Sequence, residues 1–277
     1  MADIYGSHFE YAGKMSRQYG LIIATIGTER MLQLGGAKES ISLFSKKAKR
    51  KYLMDDDYSG AILSFDIEFV TDNERLLELS ERRTIEKWLF NKREYCKLYF
   101  DIADDLYGET FEYIDGVRKR NYLNCRFVNP EKLEYNGGIV GYKATLEADS
   151  NMFWQDAIEK SYSVGNAYED ISSVVSVTVD SDIDDYVYPK VTINMGGVGG
   201  DIIISNNSDD STRLTKFVGL SPYATIVMKG ELNYVSGQYY EKFAKQNFIR
   251  LLDGENKLTV MGNVASMKIE FQNRRSL

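Results

Sequence analysis

The sequence predicts a mainly β protein with one helix laid across a sheet, and three observations carry that prediction. The first is alternation. From Ala61 to Phe69 the odd positions Ala61, Leu63, Phe65, Ile67 and Phe69 are apolar, while Ser64, Asp66 and Glu68 are polar. A period of two turns one face of a strand to a core and the other to water or a partner. The second is the stretch after it. Glu74 to Phe90 holds neither Gly nor Pro and sets Leu77, Ile85, Trp88 and Leu89 on one side, as an amphipathic helix on a sheet would. Thr71-Asp72-Asn73 just before offers side-chain oxygens to the first unpaired helix N–H groups. The third is composition: 20 Tyr and 13 Phe against 3 Pro in 277 residues suit pleated, half-buried surfaces.

The totals narrow the function classes. Apolar residues make up 43% and charged residues 27%, a globular balance, and the length fits one large β domain or two ordinary ones. The net charge of −7 disfavours specific nucleic-acid binding through phosphate contacts, although it is compatible with lining a passage through which DNA slides. Cys96 and Cys125 lack the partner cysteines or histidines of a metal site and are expected to be reduced thiols. Ala2 to Gly20 is polar and interrupted, unlike a signal peptide. No apolar run approaches the ~20 residues that span a bilayer. A protein made and assembled in a cytoplasm, away from membranes, is the expectation.

The elements follow in order. Phe9 to Ile23 reads as a short strand, a turn at Gly13, and a second strand from Leu21. Lys46, Lys47, Lys49, Arg50 and Lys51 are five cations in six residues. They fit a solvated strand edge, where like charges discourage pairing, or an interface in which Asp55-Asp56-Asp57 of an adjacent copy neutralises them. After the helix, Tyr95 to Phe100 is a strand; Tyr107 to Ile114 and Tyr122 to Val128 are two more, joined by the hairpin signal Asp115-Gly116. Pro130 is expected to interrupt. Asn136-Gly137-Gly138 is a turn, and Tyr142, Ala144, Leu146 and Ala148 alternate into a strand that runs on to Trp154.

The opening Phe9-Glu-Tyr11, Gly13, Ser16 and Tyr19-Gly20-Leu21, the Trp88-Leu89-Phe90 at the end of the helix, and the closing strand ending in Phe153-Trp154 resemble the distal tail protein family of long-tailed bacteriophages. Residues 9 to 154 follow its pattern in order. The resemblance implies a tail-tube-like β-sandwich with one helix in residues 1–154, six copies of which make a ring.

Residues 155–188 form an acidic, Ser-rich junction with Asp180, Asp182, Asp184 and Asp185. A calcium loop would need Gly at its sixth position, which is missing, so metal binding is not expected. A β-sandwich is expected in residues 189–277, from short strands at Lys190–Met195, Asp201–Ile204, Ala224–Met228, Gly230–Val235, Lys257–Met261 and Met267–Phe271. Gly196 to Gly200 is followed by a strand, which argues for a tight hairpin and against a phosphate loop. Arg250 to Gly262 also resembles the distal tail family, whose C-terminal domain is similar in fold to galectins and carbohydrate-binding modules; fold alone does not carry sugar binding over. His8 is the one histidine, so Ser-His-Asp and Cys-His mechanisms lack their base unless the N-terminus folds inward. Neither an enzyme nor a cofactor is expected. Tyr239, Tyr240 and Phe243 offer a sugar platform or, at that spacing, core packing.

The resemblance therefore implies a structural tail-tip or baseplate hub: a homo-hexameric ring continuing the tail tube. Its partners would be tail tube protein, tape-measure protein and a tail-associated or receptor-binding protein. It would sit at the virion tail tip after assembly in the host cytoplasm. The alternatives from other classes are a carbohydrate-binding baseplate protein touching the host wall and a wall-degrading enzyme.

Overall fold

The computed structural model describes residues 8–26, 39–45, 50–57, 63–72, 75–101, 111–150, 152–165, 171–182, 185–209 and 213–275. They divide into two compact units, Met1–Gln155 with Arg275–Leu277, and Asp156–Arg274. The chain is mainly β, with one α-helix among the described residues.

The first unit contains β1 (His8–Tyr11), β2 (Lys14–Met15), β3 (Leu21–Ile26), β4 (Glu39–Ser45), β5 (Arg50–Asp57), β6 (Ser64–Thr71), α1 (Leu79–Leu89), β7 (Cys96–Asp101), β8 (Phe111–Ile114), β9 (Val117–Tyr135), β10 (Gly138–Ala148) and β11 (Phe153–Gln155). Seven strands form an antiparallel path β2-β1-β7-β9-β10-β6-β3, and β4 pairs with β5 in a separate two-stranded sheet. The path curls until its ends meet: His8 on β1 bonds through Nδ1 to the Leu21 carbonyl on β3 at 3.1 Å. The core lies inside the curl. Phe9, Tyr11, Leu21, Ile23, Ile67, Phe69, Leu98, Leu123, Leu146 and Ala148 are all buried there. The alternation that predicted β10 holds, since Tyr142, Ala144, Leu146 and Ala148 all point inward.

The helix closes this core with Ile85, Trp88 and Leu89. Trp88 stacks on Phe9 at 5.7 Å and on Tyr19 at 4.6 Å. Its indole N–H donates to the Tyr11 carbonyl at 2.8 Å, so a large polar-tipped ring is buried with its donor satisfied. The helix starts later than the sequence suggests. Its cap is Glu78, through a capping box with Glu81, and not Thr71-Asp72-Asn73. Thr71 belongs to β6 and donates to the Arg75 carbonyl instead. Leu77 is buried ahead of the helix, in an extended segment whose N–H bonds to the Ile139 carbonyl at 2.7 Å.

Pro130 does not interrupt β9. Asn129 adopts a left-handed φ of 52°, and the pairing of β10 to β9 shifts between Lys143 and Thr145. The Asn-Pro pair therefore sits in a bulge, one of the few places a strand tolerates proline. Asp115-Gly116 and Asn136-Gly137 turn β8 into β9 and β9 into β10 with positive φ at both residues, as expected.

The second unit contains β12 (Ile158–Ser163), β13 (Ser172–Val179), β14 (Lys190–Met195), β15 (Gly200–Asn206), β16 (Leu214–Leu220), β17 (Thr225–Lys229), β18 (Tyr234–Val235), β19 (Phe243–Gln246), β20 (Gly254–Met261) and β21 (Val264–Phe271). They make two antiparallel five-stranded sheets, β12-β21-β14-β17-β18 and β13-β20-β15-β16-β19. Alternate residues of each are buried, among them Val191, Ile193 and Ile269 on one sheet and Val177, Ile204 and Val260 on the other.

Three expectations change here. The described part of 155–188 is no simple junction: it supplies β12 and β13, because Val175, Val177 and Val179 alternate into the core. The run Gly196 to Gly200 is not a hairpin either. It carries the chain from β14 in one sheet to β15 in the other. A Cβ on Gly199 would run into the Leu220 carbonyl and Pro222, so the crossing needs bare backbone. Gly230–Val235 is not one strand, since Gly230–Leu232 forms a 3-10 turn before β18. The turn before β20 is held by Asn256, buried, which accepts from the Leu252 N–H at 2.9 Å and donates to the Leu252 and Gly254 carbonyls.

Candidate functional site

Of the residues singled out as interface candidates, two fall in a described element. Arg50 and Lys51 begin β5, whereas Lys46, Lys47 and Lys49 lie outside the described residues. In the register of β4 with β5, Arg50 is opposite Ser45, and Asp55, Asp56 and Asp57 are opposite Ile41, Ser40 and Glu39.

The chemistry-bearing residues are otherwise used for structure. The N-terminal segment does fold inward, because β1 is a sheet strand, and His8 is half-buried. Its Nδ1 contacts the Ser16 hydroxyl at 3.3 Å as well as the Leu21 carbonyl. Ser16 is fully buried and its hydroxyl accepts the Phe9 N–H at 3.0 Å, so this Ser–His contact ties three backbone segments together inside the fold. Cys96 and Cys125 face each other in register on β7 and β9 as free thiols. Burial pushes the Cys125 thiol well above its ordinary range, which makes it a poor nucleophile. Among the described residues no group of three His, Cys, Asp or Glu side chains could hold a metal ion. Phe243 enters the core, stacked on Phe217 at 4.7 Å, while Tyr240 is exposed.

Some of the charge on the first unit is held in pairs. Lys143 reaches Asp66 at 3.1 Å, Arg126 reaches Glu147 at 2.8 Å, and Lys132 reaches Glu86 at 3.4 Å. The hydrogen bond from Lys143 holds the Asp66 carboxyl below its usual range. Exposed pairs of this kind are screened by water and salt, so they shape a surface more than they stabilise it. A cleft of about 150 Å³ is lined by Glu10, Met15, Tyr99, Phe100, Arg118, Arg120 and Asn121. Within it Arg120 pairs with Glu10 at 2.8 Å and lies over the Tyr99 ring at 3.8 Å.

The second unit presents strand edges. β12, β18, β13 and β19 each end a sheet. β12 carries Glu159 and Lys160; β18 has two residues; β19 has four, includes Lys245 and pairs with a register shift. β13 differs. Its eight residues, Ser-Ser-Val-Val-Ser-Val-Thr-Val, pair with β20 without a shift and contain no charge, proline or glycine. Sequence reasoning missed this strand because it sits in a Ser- and Asp-rich stretch. The signal was its alternation.

Residues 4–150 match the family model described as phage tail protein N-terminal domain, and residues 160–271 match the one described as phage tail C-terminal domain. No curated protein matches the sequence. Among solved structures, the chain is similar to the Dit protein of phage SPP1, described as a paradigm of the hub adsorption apparatus in phages infecting Gram-positive hosts. The TM-score is 0.63 and the identity 10%, over 97% of this chain and 98% of that one. It is also similar to a chain of the phage p2 baseplate in its activated conformation with strontium, with a TM-score of 0.52 and 9% identity, over 96% of this chain and 98% of that one. The calcium form of that baseplate gives 0.51 at 9% identity.

Proposed function

This chain belongs to the phage tail protein family with these N- and C-terminal domains, and from that premise we propose that six copies of it close the ring of a tail-tip hub. The ring joins the tail tube to the host-adsorption apparatus and works without making or breaking covalent bonds. The observation that carries the reading is the likeness to a hub protein over 97% of the chain, with both family domains in order. Closure is head-to-tail, so each copy offers two different surfaces to its neighbours. The paired charges on the first unit and the cations Lys46, Lys47, Lys49, Arg50 and Lys51 belong to those surfaces. The partners are tail tube protein, tape-measure protein and a tail-associated or receptor-binding protein, and the assembled particle carries the ring at its tail tip. The net acidity of the chain keeps a lumen from holding passing DNA.

Native mass measurement and electron microscopy of the purified protein test this. A six-fold ring is the expected result. A monomer that persists at high concentration and in the presence of tail tube protein would overturn it. Reversal of the five cations to Glu should abolish closure; unchanged oligomerisation would remove them from the interface.

A further inference from the structure

We propose that Cys96 and Cys125 form a thiol-oxidation site, at which a small-molecule disulfide closes a reversible cross-strand bond between β7 and β9. The two residues are register partners on those strands. Residues directly opposite on antiparallel strands send their side chains to the same face of the sheet. Here that face is the inner one: Cys125 is buried in the core and Cys96 is half-buried against it, both as free thiols. A third side chain ties the two positions together. The Tyr11 hydroxyl donates to the Cys125 carbonyl at 3.4 Å and also meets the Cys96 thiol.

The backbone pattern sets the kind of bond that can form. The Ala12 N–H donates to the Lys97 carbonyl at 3.1 Å, so Lys97 turns its backbone toward β1 and its neighbour Cys96 turns toward β9. The Asp149 N–H donates to the Asn124 carbonyl at 2.9 Å, so Asn124 turns toward β10 and Cys125 turns toward β7. The two cysteines are therefore a hydrogen-bonded pair, a class whose Cα atoms stand about 5.5 Å apart. That lies inside the ~4.4–6.8 Å that disulfides bridge. Opposed Cβ atoms in a sheet stand about 4.5–5.5 Å apart, whereas a disulfide wants about 3.5–4.5 Å. The strands must pinch together to close the gap, so the bond is strained. Strained disulfides are the ones that thiols reopen readily. The pair is thus suited to a switchable bond and not to a permanent staple.

Exposure decides the order of the chemistry. Cys96 reacts first, because it alone of the two is partly open to solvent. Its thiolate attacks one sulfur of the small disulfide, which makes a mixed disulfide on Cys96 and releases one thiolate; that thiolate takes up the proton Cys96 gave up. The Cys125 sulfur then attacks the Cys96 sulfur, the mixed disulfide breaks, and the Cys125 proton leaves with the second small thiol. Two protein thiols are oxidised to one disulfide, and one small disulfide is reduced to two thiols. Cys125 is the slow partner, since burial keeps it protonated. The product joins the first residue of β7 to β9 and encloses β8 in the loop between them.

The test incubates the folded full chain with oxidised glutathione, quenches with acid and reads the intact mass. Expected are the loss of two hydrogen atoms, no thiol left to react once the protein is denatured, and a peptide pair linked through Cys96 and Cys125 on digestion without reductant. Reduced glutathione added to the folded product should restore both thiols. Cys125→Ala should stop at a glutathione adduct on Cys96, and Cys96→Ser should take up no glutathione while folded. Should Cys125→Ala misfold, the digest of the unaltered chain still decides. An unchanged mass, an unaltered chain that stops at the Cys96 adduct with its Cys125 thiol intact, or a dimer linked through Cys96 would each overturn the proposal. A bond that forms but resists reduced glutathione until the protein is denatured would overturn its reversibility.

Discussion

Glu81 takes three hydrogen bonds at the start of α1, two from the Arg75 guanidinium at 2.9 and 2.8 Å and one from the Glu78 N–H at 2.9 Å. Arg75 and then the Glu78 backbone hold its carboxyl down at about 2, against 4.5 in the unfolded chain. A depressed folded-state value means that the contribution is complete above the unfolded value and lost as pH falls toward about 2. Helix content followed by circular dichroism should therefore decline between those limits in the native protein, and Glu81→Ala should remove that part of the decline. At neutral pH the same variant should lose about 1 kcal/mol in urea melts, as capping losses do. Gly141 makes a different kind of demand. A Cβ there would overlap the Phe69 carbonyl on β6, so Gly141→Ala should cost about 1–3 kcal/mol by strand displacement. The sequence marks Glu81 only weakly, because a capping box led by Glu lacks the usual Ser or Thr. It marks Gly141 not at all, since a glycine within an alternating strand does not say what passes beside it.

Among the elements, β9 shows where local rules and tertiary context part. Propensity stops it at Pro130; the bulge at Asn129 carries it through to Tyr135. Asn129→Val, which forces a β-branched residue into left-handed φ, should cost roughly 1–2 kcal/mol and raise amide exchange in β10. Period-two strands with a clean apolar face, such as β6 and β10, were legible for the reason that burial on one side enforces alternation. β16 was not, because Leu214-Thr-Lys-Phe-Val-Gly-Leu mixes a glycine and a lysine into a strand whose inward residues are Thr215, Phe217 and Leu220. The start of α1 was misread because Leu77 fits the helical stripe while serving an extended segment. Of the candidate site, the cation run was visible as charge, but the β13 edge depends on which strands lack a neighbour, and that is a property of topology.

For the molecule as a whole, the two units predict separable folding. Asp156–Arg274 contains both of its sheets entire, and the buried residues of each alternate along their strands. Expressed alone, residues 156–274 should unfold in one cooperative step with an intact β spectrum, and a non-cooperative melt would contradict that expectation. Residues Met1–Gln155 are grouped with Arg275–Leu277, and Arg275 reaches Glu112 at 2.6 Å. Truncation before Arg275 should therefore lower the melting temperature of the first transition, read by calorimetry of the full chain.

The charge-free edge strand from Ser172 to Val179 bears on how the protein keeps in a vial. Neutral, β-branched segments without proline seed cross-β stacking when nothing caps them. Purified stock should slowly turn turbid and bind thioflavin on storage, and Val174→Lys should stay clear.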